Sequence, residues 1–439
     1  MIEIYKLLKR GVASTIVISA VAMIIQISCL SFLSRTDKDI VSLIAVIELC
    51  IAWFLAFSFF GGEQYFINLV NRGHRIRNVF RTTVISMVCW LPVFIITYCL
   101  LQKNGIFSHV ISDVSEGVKT LVVVFLATIL SVVAAAYRSK VSLLMASISE
   151  RIFSVMLVIL GALISYYATN NAVNIVLNAA LLLSSVFVCV LYLSLKKAYF
   201  DRESSFEGDD LRRGTFLTKE GLFFTLTMIL VVVYEKIDQA VVLSSFGKEE
   251  LAGYYLCFKL AFAVRFITKS INTASYPILS RLVNMRGVDH VRFTSDIKVL
   301  NFLIAIACSL PLVFLSEQVI NLFYGEELVA YSLILKFMAL ALVISSANQV
   351  DFNYLNSIGK SKVFFANSVI TVFVQIFLIF MLLPIYGVET LVISKFLAVF
   401  TGFLIAQYSL YRSGNELHHK LNLVITLIMI YFLAVLERV

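Results

Sequence analysis

The chain has 439 residues, of which 60% are hydrophobic and only 14% charged, with a mean hydropathy of +0.93. Soluble domains carry about 25% charged residues, so this composition excludes a soluble multidomain protein. The apolar residues come in blocks of about 20, the length that crosses a bilayer as helix, and the net charge of +9 must be explained by where the basic residues fall.

In chain order, Met1–Arg10 is basic and runs into Gly11–Leu33. That run is too long for a signal-peptide core, so it is read as the first spanning helix. Further spans are predicted over 40–60, 81–101, 118–137, 141–165, 172–195, 218–246, 251–280, 299–316, 328–350, 363–384 and 388–411. A shorter apolar block, Leu421–Leu436, is either a thirteenth span or a half-span lying in the interface. The expected fold class is an all-α polytopic membrane protein with 12 spans and a candidate 13th. The four prolines, Pro92, Pro277, Pro311 and Pro384, fall in or at the end of apolar blocks, where spanning helices tolerate and bend around them. All seven cysteines also lie in apolar blocks with no C-x-x-C spacing, so they are expected to be small buried hydrophobes and not ligands.

The loops alternate in charge. One set carries 24 of the 36 basic residues, among them Lys6, Lys9, Arg75, Arg77, Arg138, Lys140, Arg151, Lys196, Arg212, Arg292, Lys298, Lys360 and Arg412. The other set carries six: Arg35, Lys38, Lys103, Lys119, Lys248 and Arg438. The excess of Lys and Arg marks the cytoplasmic side, which places the N-terminus inside. Most of the +9 is then a matter of topology and anionic headgroups, and no nucleic-acid partner is implied.

The first six spans and the next six share features about 210 residues apart. Asp37-Lys38-Asp39-Ile40 answers to Lys248-Glu249-Glu250-Leu251, and Leu69-Val70-Asn71-Arg72-Gly73 to Leu282-Val283-Asn284-Met285-Arg286-Gly287. Six spans per half is an even number, so such a repeat is parallel, with its pseudo-axis along the membrane normal. The expected organisation is a six-helix bundle over 1–200, a charged cytoplasmic linker over 201–217, a second six-helix bundle over 218–412, and a tail over 413–439. The two bundles would face each other across a central cavity.

Six basic residues remain inside apolar blocks, all in the second half: Lys236, Lys259, Arg265, Lys269, Lys336 and Lys395. A charge at a helix centre costs about 2.5–3.5 kcal/mol on insertion scales, so these should line a wet cavity or pair with acids. Lys259, Arg265 and Lys269 share a face roughly 120° wide at 100° per residue. A cationic face of this kind suits a phosphate-bearing ligand, which Arg can grip bidentately. The acids are Glu48 in the second span, Glu235 and Asp238 in the seventh, and Glu389 near the end of the twelfth. They can bind H+ or Na+, or serve as ion-pair partners, with Asp238 or Glu235 paired to Arg265. Ser345, Asn348, Gln349, Phe352 and Asn356 form a polar stripe in the tenth span. It could bond sugar hydroxyls or hold helices together. No P-loop, H-E-x-x-H or other catalytic signature is present, so a transporter that is not an enzyme and needs no cofactor or metal is expected.

The segments YEKIDQAVVLSSFGKEELAGYYLCFKL (Tyr234–Leu260), ASYPILSRL (Ala274–Leu282), LFYGEEL (Leu322–Leu328) and NSIGKSK (Asn356–Lys362) resemble the polysaccharide flippases of O-antigen type, in the multidrug/oligosaccharidyl-lipid/polysaccharide exporter superfamily. The resemblance implies a bacterial inner-membrane flippase that moves an undecaprenyl-pyrophosphate-linked oligosaccharide from the cytoplasmic to the periplasmic leaflet. It implies membrane lipids, a polysaccharide polymerase and a chain-length regulator as partners. Under it, Arg265, Lys269, Lys259, Lys336, Lys395, Asn348 and Gln349 would bind substrate, and Glu48, Glu235, Lys236 and Asp238 would couple ions or form ion pairs. The competing readings are a multidrug/cation antiporter of the same superfamily and a membrane glycan polymerase. The topology is open to direct test: a periplasm-dependent reporter fused after Asp113 should be active and one fused after Glu207 silent, and the reverse pattern overturns the N-inside orientation.

Overall fold

The computed structural model describes residues 2–59, 62–71, 74–103, 110–111, 113–140, 142–167, 172–200, 219–283, 290–412 and 425–426, and among them it contains no strand. The linker over 201–217 and nearly all of the candidate span over 421–436 lie outside the described residues. Each of the twelve predicted spans is a helix. In order they are α1 (Ile2–Thr36), α2 (Lys38–Ser58), α4 (Ile76–Lys103), α5 (Val114–Ser139), α6 (Leu143–Tyr167), α7 (Ala172–Leu195), α8 (Lys219–Ser245), α9 (Lys248–Leu282), α10 (His290–Phe314), α12 (Ser332–Ser357), α13 (Ser361–Tyr386) and α14 (Glu389–Arg412). Two short helices were expected as loop: α3 (Gly62–Asn71) and α11 (Ser316–Tyr324), the latter followed by a 3-10 turn over Glu326–Tyr331. Among the described residues ten helices are long and apolar enough to cross a bilayer, or eleven if the two segments of α9, which meet at 57°, count as one span. The remaining long helix, α8, carries Glu235, Lys236 and Asp238 in its second half. The chain is a multi-pass membrane protein.

Local chemistry sets the helix ends. Asp37 caps α2, its Oδ1 accepting from the backbone N–H groups of Asp39 and Ile40 at 3.1 Å each. Between α8 and α9 the chain reverses at Gly247, whose φ of 96° is open to glycine and strained for other residues. Its N–H donates back to the Val242 carbonyl at 3.2 Å. Apolar side chains cover the outward faces of α4, α7 and α13, as at Val88, Ile96, Leu182, Val190, Phe373 and Phe380, each at least half exposed. Such faces belong in lipid.

The helix succession repeats. α5 and α12 have 26 residues each, α6 and α13 have 25 and 26, and α7 and α14 have 24 each. In the first half α1 packs on α6 and α5 on α7; in the second α8 packs on α13 and α12 on α14. Across the halves the exchange is reciprocal, α1 lying on α9 and α2 on α8. The break between α2 and α3 occupies the place of the bend within α9.

The two ends of the bundle differ. Where α2 and α9 begin, one continuous apolar core joins the halves, with Ile40, Val41 and Ile44 of α2 packed among Leu251, Tyr254 and Tyr255 of α9 and Leu335 of α12. Lys38 pairs with Glu327 at 2.8 Å and Lys248 with Asp39 at 2.8 Å on its rim. At the opposite end the halves meet through α1 and α3: Ile16 of α1 packs on the second-half cluster of Ile278, Phe293 and Tyr354, Ser270 of α9 donates to Ser19 of α1 at 3.4 Å, and the Tyr65 ring of α3 lies 5.7 Å from that of Phe224 of α8. Gln64 of α3 exchanges amide hydrogen bonds with Asn353 (3.1 Å) and Asn356 (2.9 Å) of α12. Asn68 accepts from Tyr276 (3.3 Å) and Ser280 (3.4 Å) of α9.

Apolar solvation gives no drive for helices to associate within lipid, so close contact through small residues matters. A Cβ on Gly253 of α9 would sit 2.6 Å from the ring of Tyr331. Gly253→Ala should therefore cost about 1–3 kcal/mol by overpacking. A lowered melting temperature in detergent is expected, and an unchanged one would show that the Tyr331 ring moves freely aside.

Candidate functional site

A cavity of about 310 Å³ lies toward the α3 end of the bundle. Residues Met228–Glu235 of α8, Phe262–Tyr276 of α9, Ser345–Asn353 of α12 and Phe364–Thr371 of α13 supply its walls, and Glu63, Gln64 and Ile67 of α3 close it from the first half. Volumes of 300–1,000 Å³ are usual for small-molecule sites. Five of the sequence-predicted site residues line it: Arg265, Lys269, Asn348, Gln349 and Glu235. Lys259, Lys336, Lys395, Glu48, Lys236 and Asp238 do not.

The reason is pairing. Arg265 is bonded to Glu235, as one of the two sequence alternatives had it, and its guanidinium lies 5.7 Å from the Phe262 ring. Lys269 lies 3.3 Å from Glu150 of α6. Lys259 faces the first half, where its Nζ lies 2.7 Å from Glu48. Glu48 also accepts from Ser154 at 2.8 Å, which accepts from Gln26 at 3.0 Å. Lys395 donates to Asp238 at 2.6 Å and to the Glu235 carbonyl at 3.0 Å. Tyr254 donates to the same carboxylate at 2.5 Å. Lys236 donates to Gln239 at 3.1 Å and sits over the Phe258 ring at 4.8 Å. Lys336 is half-buried on α12, away from the cavity. The predicted three-residue cationic face is thus divided: the bend in α9 leaves Arg265 and Lys269 on the cavity and turns Lys259 to Glu48.

Three expectations are corrected. The buried cations are not confined to the second half, because Arg138, expected in a loop, lies within α5 and is only 4% exposed. It bonds Glu63 of α3 and Glu150 of α6. Glu48 is likewise not the sole membrane carboxylate of the first half, since Glu63 and Glu150 join it. Lys298, expected at a loop, lies within α10 and is fully buried against Asp351 at 2.5 Å. The sequence signal was present: Arg138, Lys298 and Asp351 each stand one residue beyond the predicted edge of an apolar block, in helices that are longer than those blocks, and Glu150 falls inside the predicted span over 141–165. The polar stripe of the tenth span is divided between the cavity and a helix contact. Ser345, Asn348, Gln349 and Phe352 face the cavity, whereas Asn356 holds α12 to α3.

The cavity lining is amphipathic. Beside the charged pairs stand the amides of Gln64, Asn272, Asn348, Gln349 and Asn353, and the rings of Tyr234, Phe262, Tyr276, Phe352 and Phe364. Three buried polar atoms of lining residues, Arg265 Nε, Asn272 Nδ2 and Asn348 Oδ1, have no hydrogen-bond partner. Among the described residues no cluster of His, Cys, Asp and Glu could hold a metal ion.

Residues 224–381, which contain most of this lining, match the family model MatE. The whole chain is similar in structure to the MATE multidrug transporter DinF-BH, with a TM-score of 0.70 at 17% identity over 93% of this chain and 96% of that one. The chain has the fold of the MATE transporters. A variant of the MATE transporter VcmN of Vibrio cholerae gives a TM-score of 0.68 at 15% identity, covering 95% of this chain and 98% of that one. A multidrug resistance MATE family transporter of the MOP superfamily gives 0.65 at 15% identity in its outward-facing conformation, over 92% of this chain and 96% of that one. In its inward-facing conformation it gives 0.57 at 14%, over 92% and 99%. No curated protein matches the chain.

The Lys298–Asp351 pair lies outside the cavity of this MATE fold. Removing one partner of a buried pair costs about 3–5 kcal/mol, whereas replacing both with apolar residues is often neutral. Lys298→Met alone should prevent accumulation of folded protein, and Lys298→Met with Asp351→Leu should restore it. Failure of the double variant to recover would mean that the charges themselves are needed.

Proposed function

We propose that the protein is a secondary transporter that carries an amphipathic solute across the bilayer by alternating access. The observation that carries this reading is a cavity set between two repeated helix bundles, joined by a continuous apolar core where α2 and α9 begin and in part by amide and hydroxyl bonds at the α3 end, in a MATE fold solved elsewhere in outward- and inward-facing forms. The bundles of 1–200 and 218–412 rock about the shared core, with 201–217 as their tether and the α3 end opening and closing.

For the substrate, the lining favours an anionic headgroup that carries sugars. Arg265 and Lys269 present donors to phosphate oxygens, the amides match hydroxyl groups, and the rings match the apolar faces of sugars. A cavity of about 310 Å³ encloses a headgroup and part of an oligosaccharide, and the remaining sugars and the lipid tail stay outside. Undecaprenyl-pyrophosphate-linked oligosaccharide in a bacterial inner membrane has this chemistry, in agreement with the flippase resemblance of 215–365. With the cytoplasm negative, outward movement of an anion gains about 2.3 kcal/mol per charge per 100 mV. Return of the carrier is driven by H+ or Na+ on a membrane carboxylate, with Glu235 on the cavity wall the candidate. A polysaccharide polymerase and a chain-length regulator would then use the delivered units.

The second reading is multidrug/cation antiport. It is favoured by the MATE multidrug transporters of similar fold and by Glu63 and Glu235 on the cavity wall. Reconstituted liposomes separate the two. Flipping of a fluorescent polyprenyl-pyrophosphate sugar, lost by at least tenfold in Arg265→Ala with protein level unchanged, is expected on the first reading. Uptake of a cationic dye against a proton gradient, lost in Glu235→Gln and retained in Arg265→Ala, would replace it with the second.

A further inference from the structure

Three cations on α9 meet three carboxylates, and two of those come from the other half. Lys259 is held by Glu48 of α2 and Lys269 by Glu150 of α6, whereas Arg265 takes Glu235 of the neighbouring α8. These two cross-half pairs differ from the pairs at the Lys38 end, where Glu327 is 81% and Asp39 60% exposed and such contacts are worth little.

The two buried ties are not equivalent. Glu48 and Lys259 are 16% and 8% exposed and 2.7 Å apart. Lys269 is 34% exposed, faces the cavity and stands 3.3 Å from Glu150. Glu150 also has a second counter-ion, since Arg138, itself only 5% exposed in its side chain, bonds both Glu150 and Glu63. If Lys269 leaves, Glu150 keeps its bond to Arg138 and the nearby charge of Arg151, so it is not left without a counter-ion. One helical turn before Lys269, Arg265 turns a buried Nε–H without an acceptor toward the same cavity.

We propose that Glu150 is a selectivity and positioning residue of this cavity. It occupies Lys269 from across the interface and yields it to an anionic group of the ligand, whose oxygens also accept from Arg265 Nε. An entering anion thereby unties α6 from α9, so the α3 end is released only by a ligand that can compete with a carboxylate for Lys269. A neutral or cationic solute does not compete, and leaves the tie intact. The proposal rests on the transport reading for its consequence, but the exchange of partners at Lys269 is a binding event that can be measured without transport.

The test is calorimetric titration of the purified full-length protein in detergent with inorganic pyrophosphate. Because an internal competitor lowers apparent affinity by the fraction of free sites, Glu150→Gln should tighten pyrophosphate binding by about tenfold. Glu150→Asp, which keeps Arg138 neutralised but draws the carboxylate back from Lys269, should tighten it in the same direction. Lys269→Gln should abolish the heat of binding. A residue that served only to support the fold would weaken binding when changed, so unchanged or weakened affinity in both Glu150 variants overturns the proposal. If both variants tighten binding while no solute crosses in liposomes, the transport reading falls and the exchange at Lys269 stands; if solute crosses and neither variant tightens binding, the reverse holds.

Discussion

The arrangement of this protein depends on how cations are neutralised in a medium with almost no water. A lone charge in the membrane is costly, and helices within lipid have no hydrophobic force to bring them together. Charge pairing therefore decides which helices meet. α9 carries Lys259, Arg265 and Lys269, and the carboxylates of Glu48 and Glu150 reach them from α2 and α6 of the opposite half. The two halves are registered to each other by those contacts in the interior, by the apolar core at the Lys38 end and by the packing of α1 and α3 at the other end.

The repeat makes the asymmetry informative. The lengths of the last three helices, the packing partners and the break in the second helix are kept in both halves, so the backbone plan recurs. The charges do not. α2 offers Glu48 where α9 offers cations, and the two face each other because the pseudo-axis brings the second helices of both halves to the interface. A duplicated pair of central helices with opposite charge joins two like bundles by ion pairs beside their apolar seam. The short helix α3 does the same at the other end with neutral groups, since Gln64 and Asn68 bond to α12 and α9 through amides and hydroxyls. Neutral amide bonds exchange readily with water, which suits an end that must open.

The fold was legible in the sequence because hydropathy over about 20 residues is a strong signal. All twelve blocks are helices, and the repeat could be seen from local matches such as Asp37-Lys38-Asp39 and Lys248-Glu249-Glu250. The site was legible in part. Arg265, Lys269, Asn348, Gln349 and Glu235 lie together on the cavity, but Lys259 and Lys395 are turned away to Glu48 and Asp238. Spacing on a straight helix placed Lys259 with the other two, and the bend in α9 separates them. Arg138 and Lys298 were assigned to loops because charge near the end of an apolar block resembles a flank; only three-dimensional packing shows that each faces a carboxylate. Glu63, Gln64 and the whole of α3 gave no hydropathy signal, being ten residues of mixed polarity.

The charge of the cavity decides what the pairing means for transport. Counted by residue, Arg265 and Lys269 are offset on its wall by Glu235 and Glu63, so a surplus of cations does not by itself select an anion. What selects is how each cation is held. Arg265 shares its carboxylate within the second half and keeps a free Nε–H, and Lys269 borrows a carboxylate that Arg138 can reclaim. Glu150 would keep Arg138 if a ligand oxygen took over Lys269, and Arg265 can offer its Nε–H without releasing Glu235. For a cationic solute the reverse exchange is unfavourable, because Glu150 and Glu63 are already bonded to the buried guanidinium of Arg138. The neutral balance of the cavity therefore conceals a directional preference: its cations are releasable and most of its carboxylates are not.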